Sequence, residues 1–286
     1  MTKPKKEEDL GNLILPRAHK AYDNREFLHS TDGRTIRILA EYLYPEQHFR
    51  KREIDKFIVF YGSARTLSRK EYEAKTRLLE HNISKKSGEE NVKIKRELEI
   101  HRSQSDMTEY YEGCVSLARM LAEWSGTLPT SEQFHICTGG GPGMMEAANK
   151  GAGMAGMPSV GLNISLPFEQ RPNPYITPDL NFEFHYFFMR KFWFAYFSKA
   201  VIAMPGGFGT LDEVMELLTL KQTLKITKPM PILFYGEEFW RTLINFEFLA
   251  EKGVISPVDL ELFKFKSTPE EAFDYLKGQL SELYNL

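Results

Sequence analysis

A glycine-rich turn between an apolar strand and an amphipathic helix is the segment of this chain best suited to chemistry. It covers residues 204–213 (MPGGFGTLDE), with an apolar run at 200–204 before it and a helical pattern at 211–223 after it. Glycines let backbone N–H groups approach an anion closely, and a helix N-terminus adds partial positive charge. The segment therefore predicts a phosphate site.

Glu213 lies one turn into that helix, where a pure phosphate site would not need a carboxylate. A cationic group beside the phosphate would explain it. Thr210 to Glu213 also match a capping box, in which Glu213 would accept from the N-cap N–H, and this structural interpretation stays open. Glu216 shares the same helix face. Repulsion between the two carboxylates would raise the pKa of one, which suits acid–base chemistry.

A second glycine turn, residues 138–143 (TGGGPG), follows a predicted strand at 134–137. It is not a dinucleotide fingerprint, because Met144 stands at the third glycine position, and it lacks the Lys-Ser/Thr of a Walker A loop. It predicts either phosphate or ribose contact or only a tight turn. Ser63, after the apolar run 57–61, could join the same rim.

Arg190 is the cation best placed to hold a phosphate or a purine edge, because its planar fork fits either one. It lies in an aromatic segment, residues 187–194 (FFMRKFWF). The alternative is that Arg190 and Lys191 only extend to solvent from a buried helix. The aromatic residues are expected in the core or in a subunit interface.

Strand and helix patterns alternate along the chain, which predicts an α/β fold with a doubly wound parallel sheet in three layers. The predicted strands are 57–61, 134–137, 160–166, 200–204 and 231–235. The predicted helices are 110–124, 144–151 and 185–199, with others starting at Glu238 and Pro269. Ligands of such sheets bind at the carboxyl ends of the strands, so the glycine turns are expected to converge.

The predicted domain organisation is an N-terminal extension, residues 1–54 with a helix near 35–44, and a main domain at 55–286. Residues 65–106 interrupt the main domain with a segment dense in Lys, Arg and Glu. We interpret this segment as a helical insertion. It is either a solvated surface or a regulatory or partner surface.

Composition excludes several classes of protein. The net charge of -2 over 286 residues gives no electrostatic case for nucleic acid or an anionic membrane. Cys114 and Cys137 are far apart, which argues against a disulfide scaffold or a zinc site. The sequence shows neither an apolar signal core nor a membrane-spanning run. We therefore predict a cytoplasmic protein.

Taken together, these motifs resemble the LOG (Lonely Guy) family, which is also described as lysine-decarboxylase-like. The mark of that family is PGGxGTxxE preceded by an Arg-Lys pair, and residues 205–213 (PGGFGTLDE) match it, with Arg190-Lys191 upstream. The turn at 139–146 (GGGPGMME) is similar to an earlier family element, with Met144 at its second glycine. Gly62-Ser63 corresponds to the first-strand element. The resemblance covers roughly residues 56–280.

The resemblance implies a Rossmann-like, usually dimeric enzyme that hydrolyses nucleoside 5'-monophosphates to free base and ribose 5-phosphate, acting on AMP or cytokinin riboside 5'-monophosphate. It implies that Glu213 stabilises a ribosyl cation and activates water, and that Arg190 holds the nucleotide, with no metal or organic cofactor. Asp212 and Glu216 are candidates for protonating the leaving base. The expected substrate contacts are Ser63, Gly140, Gly141, Gly143, Met189, Lys191, Gly206, Gly207, Gly209 and Thr210.

Two other functions remain open from the sequence. One is a nucleotide-binding regulator without turnover, in which Glu213 is only a cap. The other is a pyridoxal-phosphate decarboxylase, for which Lys191 or Lys199 would have to form the Schiff base. No partner motif accompanies either lysine.

Overall fold

Seven parallel strands form one sheet in the described part of the chain, residues 17–167 and 171–286 of the computed structural model. The strands are β1 (Phe57–Tyr61), β2 (His135–Thr138), β3 (Ser159–Ile164), β4 (Asn181–Phe184), β5 (Ser198–Ala203), β6 (Ile232–Tyr235) and β7 (Phe263–Lys266). Their order is β4-β3-β2-β1-β5-β6-β7. The order reverses between β1 and β5, so the switch point lies at the carboxyl ends of these two strands.

Helices connect and flank these strands. They are α1 (Arg25–His29), α2 (Arg34–Lys51), α3 (Arg69–Lys85), α4 (Gly88–Arg102), α5 (Met107–Gly126), α6 (Met144–Met154), α7 (Phe187–Phe197), α8 (Phe208–Gln222), α9 (Glu237–Leu243), α10 (Phe246–Glu251) and α11 (Pro269–Tyr284). None of the helices in the described residues is long and apolar enough to cross a membrane.

Apolar side chains cover both faces of the sheet. On one face, Ile58 and Phe60 of β1 join a buried cluster with residues of α5, α6 and α11. On the other face, the rings of Phe57 and Tyr61 contact aromatic rings of α7. Alternate β1 residues thus point to opposite layers, as a strand buried on both sides requires. The predicted three-layer α/β sheet is confirmed.

The described residues divide into two compact units, one that ends at Leu43 and one that begins at Tyr44. In the first unit, Arg37 donates hydrogen bonds to the carbonyl oxygens of Leu28 and Ser30 and so joins α2 to the end of α1. In the second unit, Phe49 near the end of α2 packs edge-on against Phe57 and Trp193. The assignment of residues 1–54 to one N-terminal extension stays a prediction.

Several element boundaries differ from the sequence prediction. The aromatic helix ends at Phe197 rather than Lys199, because Ser198 pairs with Phe57 and begins β5. The strands β4 and β7 were not predicted. Both are four residues long at the sheet edges, where the apolar runs typical of central strands are absent.

Candidate active site

Three loops meet at the switch point, and the loop after β1 lies between the other two. The N–H of Ser63 donates to the carbonyl oxygen of Pro205, and the carbonyl oxygen of Ser63 accepts from the N–H of Met144. A Cβ added at Gly62 would collide with Met144 and touch Met204. The predicted convergence of the glycine turns is therefore present, and it requires a glycine at position 62.

Internal hydrogen bonds close the turn after β2. The N–H of Gly140 donates to Thr138, and Asn173 donates to the carbonyl oxygens of Gly140 and Gly141. Asn149 accepts from both Thr138 and Asn173 within this buried network. Sequence inspection did not identify Thr138, Asn149 or Asn173, because each is an ordinary polar residue until the fold brings them together.

The turn after β5 is open by comparison. Gly207 and Gly209 are exposed, and a Cβ at either position would meet nothing within 4 Å. Gly207 is the N-cap of α8, with no capping side chain and no acidic residue in the first turn. The first N–H groups of α8 are thus free to bind an anion, and the helix dipole favours one there.

The capping-box interpretation of Glu213 is wrong. Helix α8 begins at Phe208, so Thr210 lies inside the first turn and not at the N-cap. Its hydroxyl instead packs against Gly206, where no Cβ could be accommodated. Glu213 therefore lies in the second turn, too far along the helix to accept from an N-cap N–H.

Glu213 forms an ion pair with Arg190 of α7. Arg190 Nη2 lies 3.0 Å from Glu213 Oε1, and the two side chains are only 11% and 13% exposed. Nη1 of Arg190 faces the turn after β2, where it lies 3.5 Å from the position that a Cβ of Gly139 would occupy. Nε is buried without a hydrogen-bond partner among the described residues. An unpaired buried donor beside an ion pair fits a site that a ligand completes.

Burial raises the pKa of Glu213 to about 7 against the opposing attraction of Arg190, with Asp212 and Glu216 adding to the rise. A carboxyl that titrates near neutrality can exchange protons during a reaction. Burial, and next the charge of Glu213, raise the pKa of the Tyr61 hydroxyl well above its usual value. Tyr61 ends β1, where the charges of both Glu213 and Arg190 act on its hydroxyl, and it keeps its proton.

Lys191 contacts the two carboxylates on either side of Glu213 in the sequence. Its Nζ lies 2.9 Å from Asp212 and 3.1 Å from Glu216. The structure thus sorts five charged groups into two sets, Arg190 with Glu213 and Lys191 with both Asp212 and Glu216. Roles for Lys191 in substrate contact and for Glu216 in catalysis stay predictions.

The remaining predicted residues lie at different depths. Met189 is buried, as are Gly140, Gly141, Gly143 and Gly206. Ser63 is partly exposed between the two glycine turns. Lys199 lies near the amino end of β5, whereas the switch point lies at the carboxyl ends of the strands. A Schiff base at Lys199 would therefore be remote from the glycine turns.

Comparison with known families agrees with the motifs. A family model described as "Possible lysine decarboxylase" matches residues 145–276. A cytokinin riboside 5'-monophosphate phosphoribohydrolase of Arabidopsis thaliana is 36% identical over 83 residues, which cover 29% of this chain and 38% of that protein. The corresponding enzyme of Rhodococcoides fascians is 36% identical over 74 residues, 26% of this chain and 37% of its own. The resemblance to the LOG family is confirmed. Each of the two alignments spans less than half the length of the relative that it matches.

Two solved structures have a similar chain path. The molybdenum cofactor binding protein of Rippkaea orientalis covers 59% of this chain and 86% of its own, with a TM-score of 0.43 and 22% identity. The molybdenum cofactor carrier protein of Chlamydomonas reinhardtii covers 80% and 99%, with a TM-score of 0.43 and 17% identity. Likeness at this level carries no information about a ligand.

We expect the carboxyl group of Glu213 to titrate near pH 7 in carbon-detected NMR of protein labelled at glutamate. The folded state then holds a proton that the unfolded chain releases, so the free energy of unfolding falls as pH rises from about 4.5 to about 7. Arg190→Met removes the positive charge that most stabilises the ionised form of Glu213. It should therefore raise the pKa of Glu213 further. Lys191→Met is the matched control and should raise it less. A midpoint near 4.5 in the parent, or equal shifts in both variants, would contradict this assignment.

Proposed function

We propose that this protein hydrolyses the N-glycosidic bond of a nucleoside 5'-monophosphate to free base and ribose 5-phosphate. The observation that carries the proposal is the buried Arg190–Glu213 pair beside the open N-terminus of α8. AMP and cytokinin riboside 5'-monophosphate are the proposed substrates, and the names of the relatives support the second. The structure gives no support to the regulator in which Glu213 serves as a cap.

Glycosidic cleavage is slow because positive charge develops on the ribosyl group in the transition state. The carboxylate of Glu213 is suited to stabilise that charge. As the C1'–N bond breaks, its electron pair goes to the base and C1' becomes cationic. Glu213 would stabilise that cation and accept a proton from the attacking water, whose oxygen bonds to C1'. A pKa near 7 lets the same group release the proton afterwards.

The phosphate would bind at the turn after β5. Gly207, Gly209 and Thr210 offer the first N–H groups of α8, and Gly206 lets the turn pack tightly over Thr210. The turn after β2 and Ser63 would form the facing side of the site. Binding energy from the phosphate would hold C1' against Glu213 and so contribute to the chemical step.

Arg190 would hold the nucleotide and stabilise charge on the leaving base. It would do so through Nε, which has no hydrogen-bond partner among the described residues, and through Nη1, which faces Gly139. Arg190 cannot be the general acid, because a guanidinium does not lose its proton. Asp212 and Glu216, both held by Lys191, are the proposed carriers of a proton from solvent to the base. The reaction needs no reactant besides nucleotide and water.

The phosphate requirement gives the first test of this activity. We expect the protein to release adenine from AMP and little or none from adenosine, since the neutral nucleoside lacks the group that α8 binds. Chromatography of both reactions, with ribose 5-phosphate assayed enzymatically, measures this. Equal rates on the two compounds would refute the phosphate anchor, and binding of AMP without any adenine would support the regulator.

We also propose that the protein assembles as a homodimer or a higher homo-oligomer. Helix α7 buries Trp193 and Phe194 against the sheet but leaves Phe188 and Tyr196 about half exposed, and Phe208 at the start of α8 is 93% exposed. Exposed aromatic groups of this kind mark interfaces.

Light scattering at micromolar concentration should therefore give at least twice the chain mass. Phe188→Asp should reduce the mass to that of one chain, since a carboxylate would be buried in the interface. Val258→Asp changes an exposed apolar residue outside this aromatic group and should leave the mass unchanged. A monomeric parent protein would rule the assembly out.

A further inference from the structure

A cavity of about 180 Å³ lies between the loop after β1 and the charged insertion. The residues that line it include the polar Ser63, Thr66 and Gln104 and the apolar or aromatic Leu67, Tyr72 and Met107. Sites that enclose a whole small ligand usually measure about 300–1,000 Å³. This cavity therefore fits one part of a ligand whose remainder lies elsewhere.

The cavity adjoins the candidate active site through Ser63. The backbone of this residue contacts both glycine turns, and the residue also lines the cavity. Tyr61, whose hydroxyl is influenced by the charges of Glu213 and Arg190, precedes it by two positions. Ser63 is therefore common to the cavity and to the meeting point of the two glycine turns.

Thr66 supplies a polar group that lacks a partner. The residue is only 6% exposed, and its hydroxyl makes no hydrogen bond to any described residue. Buried polar groups are almost always paired, because an unmade hydrogen bond is costly. Thr66 lines the cavity, so a ligand there is a candidate partner for this hydroxyl.

Tyr72 forms a rigid aromatic wall. Its ring stacks on His101 at a centroid distance of 4.2 Å and an interplanar angle of 23°. Nε2 of His101 in turn hydrogen-bonds the carbonyl oxygen of Tyr72 at 3.0 Å, which ties α4 to α3. The two helices of the insertion thus hold this ring at the cavity before any ligand arrives.

We propose that this cavity binds the base of the nucleotide, so that the insertion at 65–106 sets the base preference of the enzyme. A base is a flat ring with apolar faces and a polar edge, which matches an aromatic and aliphatic wall beside a hydroxyl and an amide. The assignment rests on the proposed function for the placement of the ribose at Glu213.

A phosphate group is the competing occupant, because Arg65 also lines the cavity and makes no ion pair with a described residue. The side chains of Leu67, Tyr72 and Met107 argue against it, since they would remove water from an anion without replacing its hydrogen bonds. Arg65 itself is exposed, so its charge remains in water.

Binding measurements separate the two occupants without requiring turnover. In a Glu213→Gln background, which is expected to slow hydrolysis during titration, Thr66→Val and Gln104→Ala are titrated calorimetrically with AMP, GMP, CMP, UMP and ribose 5-phosphate. We expect Kd for the preferred nucleotide to rise roughly 3- to 10-fold in each variant, the value of one hydrogen bond, with a smaller change for the other bases. Ribose 5-phosphate, which has no base, should keep its Kd.

Thr127→Val is the matched control, because the Thr127 hydroxyl is exposed and bonded within its own helix end. It should change no Kd. A parallel rise in Kd for ribose 5-phosphate would assign the cavity to phosphate and overturn the proposal, as would unchanged Kd values for every nucleotide. If nucleotides bind with the expected base dependence but the parent chain never releases a base, the cavity assignment holds and the proposed hydrolysis fails.

Discussion

The buried ion pair between Arg190 and Glu213 is the interaction on which the organisation of this molecule depends. Its two residues come from different helices, α7 and α8, and β5 lies between these helices in the sequence. Truncating either side chain would leave the other polar group buried without its partner, which is more costly than losing an exposed ion pair. The apolar packing of Trp193 and Phe194 against the sheet holds α7 in the position that the pair requires.

The two glycine turns look alike in sequence but have different environments. The turn after β2 is closed by Thr138, Asn149 and Asn173, whereas the turn after β5 leaves the start of α8 uncapped. The turn after β2 therefore forms a rigid wall of the site, and the turn after β5 is suited to bind an anion. The insertion adds a third side through the cavity beside Ser63.

The central strands and both glycine turns could be predicted because apolar runs and glycines are local signals. Edge strands β4 and β7 could not, since neither is a continuous run of buried apolar residues. The capping motif at Thr210 was misleading, because the glycine turn starts the helix at Phe208. The hydrogen bonds of Arg190 with Glu213 and of Asn173 with the turn after β2 join residues that are far apart in sequence. Only the three-dimensional structure identifies these partners.

Catalysis by Glu213 is tested most directly by the turnover number of Glu213→Gln on AMP, measured beside its binding constant. Gln keeps the shape of the side chain and can still accept from Arg190, but it cannot oppose a ribosyl cation. We expect a loss on the order of 10²–10³ in kcat with nucleotide binding retained. Glu123→Gln, which removes a carboxylate from an exposed pair with Arg119, should have no effect. A kcat for Glu213→Gln near that of the parent would show that Glu213 is not the catalytic carboxylate and leave Glu216 as the next one to test.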